Sequence, residues 1–134
     1  MTRRTRTTAG ALVTTLVAAS LLTAAPAFAG GGDDDEVIRE GSCTGSTDWK
    51  VKAKSDDGRI EFEGEIDSNR NGQAWSWKIK HNGSVSAKGT STTTGPSGSF
   101  EVERRLTNLA GTDQFVFKAK NPSSGEVCTG ALAF

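Results

Sequence analysis

The segment from residue 73 to residue 80 alternates between polar side chains and large apolar ones. Trp75, Trp77 and Ile79 occupy every second position, with Ser76 and Lys78 between them. Since side chains along a β-strand point to opposite faces in turn, this pattern predicts a strand with one buried face. Two of the chain's three tryptophans lie on that face, and large aromatic side chains dominate the energetics of protein cores. We therefore expect this strand at the centre of the core.

A β-hairpin is predicted where residues 48–55 and 59–67 flank Asp57-Gly58, a pair typical of two-residue hairpin turns. This turn aligns the apolar positions of the two strands, for example Ala53 with Phe62. The same register places three lysines opposite three glutamates on the other face, in the pairs Lys54–Glu61, Lys52–Glu63 and Lys50–Glu65. Because apolar and charged residues favour the same alignment, the register of this hairpin is strongly specified.

A second hairpin is expected around residues 81–83. A two-residue turn at the Asn-Gly pair would place Trp77 opposite Lys88 and so mix core with surface. A three-residue loop gives glycine the left-handed position that such a loop needs. It also keeps apolar residues together, in the pairs Ile79–Val85 and Trp77–Ala87. The apolar pattern therefore predicts the three-residue loop.

Three further strands are predicted at residues 99–106, 113–120 and 126–134, and residues 37–43 add a short edge strand. Tight turns join neighbours within a sheet, whereas longer loops can cross between sheets. The order of tight and long connections predicts an antiparallel β-sandwich of seven to eight strands, with three strands facing four. This pattern resembles the immunoglobulin-like and fibronectin type III sandwiches, without the immunoglobulin Cys-Trp-Cys spacing. The alternative is an eight-stranded up-and-down β-barrel, similar to the avidin-like proteins.

Residues 1–29 have the organisation of a signal peptide, with N-terminal arginines, an uncharged apolar run and the small residues of Ala27-Phe28-Ala29. Residues 30–36 have nothing apolar to bury, which predicts a flexible acidic leader. Residues 37–134 are expected to form a single domain. After residue 29, 13 basic and 16 acidic residues leave a net charge of −3, too small to favour nucleic-acid binding. We expect a secreted, extracellular protein with no membrane span after signal removal.

The composition of the signal and the segments 111–113 and 125–128 resemble small secreted proteins of high-GC Gram-positive bacteria. This resemblance implies export and no particular activity. The chain has two cysteines, Cys43 and Cys128, both in the part expected to reach an oxidising environment. Because the sandwich brings the segment before its first long strand beside its last strand, we predict a Cys43–Cys128 disulfide.

Few residues suggest catalysis. His81 is the only histidine, it falls in a turn expected to face solvent, and no Gly-x-Ser-x-Gly motif accompanies it. Residues 67–72 match the first half of a calcium-binding loop, but Lys78 stands where the twelfth position requires glutamate, which favours a turn without metal. Arg104 interrupts an apolar face and is expected at the margin of the core. No catalytic residue, metal or cofactor is predicted, so the chain is not expected to be an enzyme.

Lysines on one sheet face give the candidate binding site. In the sandwich, the outer face of the four-stranded sheet carries five lysines and few acids except Glu126: Lys78, Lys80, Lys88, Lys118 and Lys120. This basic surface would suit an anionic cell-wall polymer or a secreted protein partner, whereas solubility and edge protection are the simpler interpretation. The predicted function is a secreted non-enzymatic binding or cell-surface module. The alternative is a small secreted inhibitor of a hydrolase that presents a loop such as residues 92–98.

Overall fold

The computed structural model describes residues 35–134, which form eight strands and no helix. The predicted signal peptide and all but the last two residues of the predicted leader lie outside the described residues. The strands are β1 (Glu36–Ser42), β2 (Asp48–Asp56), β3 (Arg59–Asp67), β4 (Ala74–His81), β5 (Ser84–Thr92), β6 (Ser99–Thr107), β7 (Gln114–Lys120) and β8 (Val127–Ala133).

The strands form two antiparallel sheets of four. Their orders are β1-β2-β3-β6 in the first sheet and β5-β4-β7-β8 in the second. Tight turns join neighbours within a sheet, and the longer loops after β3, β5 and β6 cross between the sheets. The predicted β-sandwich is therefore confirmed, with β1 added at the edge of the smaller predicted sheet. Within the described residues the two sheets stay separate, so the alternative of one closed barrel is wrong.

The β2–β3 hairpin has the predicted register. Asp57 and Gly58 both have positive φ, at 48° and 74°, as a type I′ turn requires. Ala53 lies opposite Phe62 on the inner face. On the outer face the lysine and glutamate side chains form three ion pairs with N–O distances of 3.2, 2.6 and 2.9 Å, in the order Lys50–Glu65, Lys52–Glu63 and Lys54–Glu61.

The β4–β5 hairpin differs from the prediction. Its turn has two residues, Asn82-Gly83, with φ of 47° and 85°, and a bulge at Ser86 on β5 absorbs one extra residue. The predicted pairs Ile79–Val85 and Trp77–Ala87 are therefore wrong, and the observed pairs are Ile79–Ala87 and Trp77–Gly89. The type I′ turn matches the twist of the strands, and the bulge then brings Ala87 and Gly89 of β5 opposite the inward-facing Ile79 and Trp77.

The core lies between the sheets and is built around the aromatic residues of β4. Trp75 and Ile79 are fully buried, and Trp77 packs with its ring centroid 6.4 Å from that of Phe117. The exposed guanidinium of Arg104 lies 5.2 Å from the Trp77 ring centroid, a cation–π geometry. The expectation that Arg104 marks the margin of the core is thus confirmed.

A disulfide between Cys43 and Cys128 ties the two sheets together, as predicted. Cys43 follows β1, and Cys128 lies fully buried in β8. The crosslink therefore connects the edge of the first sheet to the edge of the second.

Candidate functional site

Three of the five predicted lysines form one row across the second sheet. Lys78 on β4 lies directly opposite Lys88 on β5 and directly opposite Lys118 on β7. The row arises because Trp77 and Ile79 must point inward, which turns Lys78 outward. Directly paired positions lie about 5 Å apart at Cβ, so three like charges stand side by side.

The other two lysines extend the row along the strands. Lys120 follows Lys118 on the outer face of β7 and pairs with Ser76. Lys80 follows Lys78 on β4 and lies between Val85 and Val116. We call the outer surface that carries all five residues the lysine face: Lys78, Lys80, Lys88, Lys118 and Lys120.

The lysine face contains no carboxylate among the described residues. Its other outward positions, read from the strand register, are serine, threonine, glutamine, alanine and valine. None of the five lysines forms a salt bridge to any residue from 35 to 134. The contrast is with Lys50, where a hydrogen bond from the ammonium to Glu65 and the charge of that carboxylate raise the lysine pKa.

Glu126, the one acid expected near the lysine face, is instead hydrogen-bonded to the loop before β2. Its carboxylate accepts hydrogen bonds from the backbone N–H groups of Gly45 and Thr47, at 3.1 and 2.9 Å, and from the Thr47 hydroxyl at 2.9 Å. These contacts occupy both carboxylate oxygens. Among the described residues, Glu126 forms no salt bridge with any of the five lysines.

A shallow open groove of about 640 Å³ runs over the lysine face. Four of the five lysines line it, together with Ser76, Trp77, Gly89 and Thr90: Lys78, Lys88, Lys118 and Lys120. Gly89 is required here because a Cβ at this position would lie 2.8 Å from Cζ2 of Trp77. The groove thus combines cationic side chains with hydroxyl groups and backbone.

The outer face of the first sheet has the opposite charge. The strand register places ten carboxylates and five cationic side chains on it, a formal balance of −5. Carboxylate oxygens of Glu63, Glu65 and Glu101 lie within 4.8 Å of one another, and those of Glu61, Glu63 and Glu103 form a second such group. We call this surface the acidic face. Within residues 35–134, these two groups are the clusters of three carboxylates whose oxygens lie close enough together to hold a cation.

Two glutamates of the acidic face have pKa values shifted in opposite directions. Burial raises the pKa of Glu101, and the charge of Glu63 raises it further. Burial also acts to raise the pKa of Glu63, but the hydrogen bond and charge of Lys52 outweigh it, so the pKa of Glu63 is lowered. The negative charge of Glu63 is therefore balanced by the ammonium of Lys52. Within the described residues Glu101 has no such partner and is repelled by the charge of Glu63.

His81 does not face solvent, so that expectation is wrong. Its side chain is buried at the end of β4, its Nε2 is hydrogen-bonded to Oδ1 of Asp113, and its ring stacks on Phe115 at 4.5 Å between centroids. Asp113 also accepts a hydrogen bond from the backbone of Leu109, at 3.3 Å. The pair anchors the loop before β7. Local sequence gave no signal of it, because the partners lie 32 residues apart.

The calcium-like segment is held by its own contacts. Oδ1 of Asp67 accepts a hydrogen bond from the backbone N–H of Asn69 at 3.2 Å, which is an Asx turn. The Ser68 hydroxyl donates to the backbone carbonyl of Gly98, at 3.1 Å. This segment is therefore joined to the 93–98 loop, and its first carboxylate is engaged in the turn.

Comparison of the chain with protein-family models, with curated proteins and with solved structures gives no match. Among residues 35–134 there is no helix with the length and apolar character needed to cross a membrane.

Proposed function

We propose that the protein is a secreted, non-enzymatic binding or cell-surface module whose lysine face binds an anionic polymer. The observation that carries this proposal is the row Lys88–Lys78–Lys118, which stands on directly paired strand positions with no carboxylate on the same face among residues 35–134. Like charges on directly opposed positions destabilise a sheet by a few tenths of a kcal/mol up to about 1 kcal/mol. A polyanion lying across the strands would remove this repulsion.

Edge protection does not account for the arrangement. Lysines protect exposed sheet edges, and Lys88 does lie on the edge strand β5. Lys78 and Lys118, however, lie on the two central strands β4 and β7, which are already paired on both sides. Their position supports a role for the face as a whole.

The residue type suits a repeating anion of loose geometry. Lysine presents a compact ammonium ion on a flexible stem, whereas arginine presents a planar fork for one fixed carboxylate or phosphate. The five charges of the lysine face are all lysine. We infer that the ligand is a flexible polyanion, such as a phosphate-bearing cell-wall polymer, recognised by charge density.

Secretion is supported by two independent features. The signal-like residues 1–29 contain the basic, apolar and small-residue parts of an export signal. The Cys43–Cys128 crosslink is of the kind that persists in oxidising compartments. We further propose an immunoglobulin-like topology, because β2-β3-β6 facing β5-β4-β7-β8 has the order of strands A-B-E facing C′-C-F-G.

The alternative function, inhibition of a hydrolase, is supported by the 93–98 loop. Thr93 is fully buried and its backbone carbonyl accepts a hydrogen bond from the N–H of Gly72 at 2.7 Å, while Gly95 and Pro96 are exposed at the tip. A braced loop with an exposed tip is pre-organised for insertion into a cleft. Loss of activity of a secreted hydrolase on adding the protein would favour this alternative.

The polymer proposal is tested by retention on immobilised polyphosphate at low salt. We expect the wild type to be retained and to elute as salt shortens the Debye length to a few ångströms, near 1 M. If each ammonium contributes about 1 kcal/mol, as at other polyanionic surfaces, the double substitution Lys78→Glu/Lys118→Glu weakens binding about thirty-fold or more.

Arg39→Glu/Arg70→Glu is the matched control. Both arginines are exposed and lie off the lysine face, in β1 and in the loop after β3. The control changes net charge by the same amount and should retain most of the binding. Equal loss in both variants, or no retention of the wild type at low salt, would contradict the proposal.

A further inference from the structure

The lysine face and the acidic face lie on opposite outer surfaces of the same sandwich. Among the residues that the structure describes, the first carries five cations and no carboxylate, and the second has a formal balance of −5. Both surfaces are sheet faces, so neither is recessed behind a helix within the described residues. Each copy of the chain therefore presents two complementary surfaces pointing in opposite directions.

Both faces carry charged side chains that have no partner of opposite charge within the described part of the same molecule. On the lysine face the three lysines of the central row form no ion pair with any residue of the described range 35–134. On the acidic face Glu101 and Glu103 lie opposite Glu65 and Glu63 across the β3–β6 pairing. Burial and the charge of Glu63 raise the pKa of Glu101. The second of these effects is the repulsion between neighbouring carboxylates. A second molecule that supplied the missing charges would relieve both surfaces.

We propose that the protein associates with itself, the lysine face of one copy docking on the β3–β6 half of the acidic face of the next. The two patches differ, so the contact is heterologous and does not close by two-fold symmetry. Successive copies would form open head-to-tail stacks. This inference goes beyond polymer binding and competes with it, because both use the lysine face.

The size of the surfaces sets the strength of the contact. Four strands spaced about 4.8 Å apart and about eight residues long give a face of about 500 Å². Complete coverage of both faces would bury about 1,000 Å² in total, and docking on the β3–β6 half would bury about 500 Å², below the range of stable specific interfaces. The association is therefore weak, reversible and strongly dependent on salt.

The test is sedimentation velocity of the purified protein over a range of concentrations at about 20 mM and about 500 mM ionic strength. We expect the average mass to rise with concentration at low salt and to remain that of the monomer at high salt. Lys78→Glu/Lys118→Glu and, separately, Glu101→Lys/Glu103→Lys should each weaken the association about tenfold or more. Arg39→Glu/Arg70→Glu should leave it close to the wild-type strength.

Mixing the two face variants provides the rescue. The first variant keeps its acidic face intact and the second keeps its lysine face intact, so each alone should be monomeric, and in the mixture these two intact faces should dock and restore association. Glu101→Lys/Glu103→Lys leaves the lysine face intact, so it should keep its retention on polyphosphate. Polymer binding and self-association can therefore be refuted independently of each other.

Three results would overturn the inference: a wild type that stays monomeric at low salt, association unaffected by Glu101→Lys/Glu103→Lys, or no association in the mixture. A titration of the wild type with calcium tests whether the acidic face binds a cation instead of a second copy of the chain. If calcium binds there and the wild type remains monomeric without it, the acidic face is a cation site and the self-association proposal is wrong. Circular dichroism of each variant confirms that the fold is retained.

Discussion

Glu126 and Thr47 are joined by two hydrogen bonds, one from the Thr47 backbone N–H and one from its hydroxyl, both 2.9 Å long. Thr47 is buried and precedes β2, and Glu126 precedes β8. The contact therefore links the start of a strand in one sheet to the start of a strand in the other. It lies beside the Cys43–Cys128 crosslink in sequence, so covalent and polar contacts fasten the same corner of the sandwich.

Glu126→Ala should lower the free energy of unfolding by about 1–3 kcal/mol, because it leaves the N–H and hydroxyl of Thr47 without their acceptor. Urea unfolding measures the effect. Glu40→Ala is the control, since Glu40 is an exposed glutamate that forms no salt bridge with any described residue, and its loss should change stability by no more than about 0.5 kcal/mol. Equal effects of the two substitutions would show that Glu126 does not fasten this corner.

Removing the disulfide should destabilise the domain strongly. The bond joins residues 85 positions apart, for which chain entropy predicts a loss of about 4.6 kcal/mol when the crosslink is absent. Cys43→Ala/Cys128→Ala should therefore unfold at much lower urea concentration than the wild type. Mass spectrometry with and without reductant establishes that the wild type is oxidised. Identical unfolding of the reduced and oxidised wild type would contradict this expectation.

Glu101→Gln should stabilise the fold at neutral pH. The pKa of Glu101 is raised in the folded state by burial and by Glu63, so the folded chain holds this proton more tightly than the unfolded chain. Ionisation therefore reduces stability as pH rises from the ordinary glutamate value of 4.5 through the folded value. The gain from glutamine, a few tenths of a kcal/mol, should be present at pH 7 and vanish below pH 4.5.

Glu63→Gln should behave in the opposite way. The pKa of Glu63 is lowered overall because Lys52 outweighs the effect of burial, so its ionised form adds stability above pH 4.5. Glutamine should therefore cost stability at pH 7, and the difference from the wild type should shrink as pH falls through the folded value. Urea unfolding at pH 7 and at acidic pH measures both variants. The same sign for both would refute the assigned roles.

The β2–β3 register could be predicted because two independent patterns specify it. Apolar residues on one face and opposite charges on the other align only in one way, as the Lys52–Glu63 ion pair shows. The β4–β5 register could not be predicted from the same kind of pattern. The inner positions of β5 are Ala87, Gly89 and Ser91, which are too small and too similar to discriminate between registers. Gly89 is the residue that indicates the observed register, since a Cβ opposite Trp77 would clash with its ring.

For the candidate site, strand alternation predicts which lysine side chains point outward. The outward direction of Lys78 follows from the inward direction of Trp77 and Ile79. The isolation of the face from carboxylates was not predictable, because it depends on the contacts of Glu126 with a loop about 80 positions earlier in the chain. The burial of His81 was missed for the same reason, since Asp113 approaches it only in the folded sandwich.

Gly64→Ala tests how tightly the two sheets pack. Gly64 lies on the inner face of β3 between Val51 and Val102, and a Cβ there would lie 2.7 Å from Cδ1 of Phe117. Alanine favours a strand more than glycine does, so propensity alone predicts stabilisation. The clash with a fully buried ring should prevail and destabilise the domain by about 1–3 kcal/mol.

A double-mutant cycle separates the clash from any effect of backbone. Phe117→Leu removes part of the ring that meets the added methyl group, so Gly64→Ala should cost clearly less in that background than in the wild type. Urea unfolding of the four proteins gives the coupling energy. Additive effects would mean that Phe117 is not the obstacle. A stabilising Gly64→Ala would mean that the sheets lie further apart at this point than the 2.7 Å approach requires.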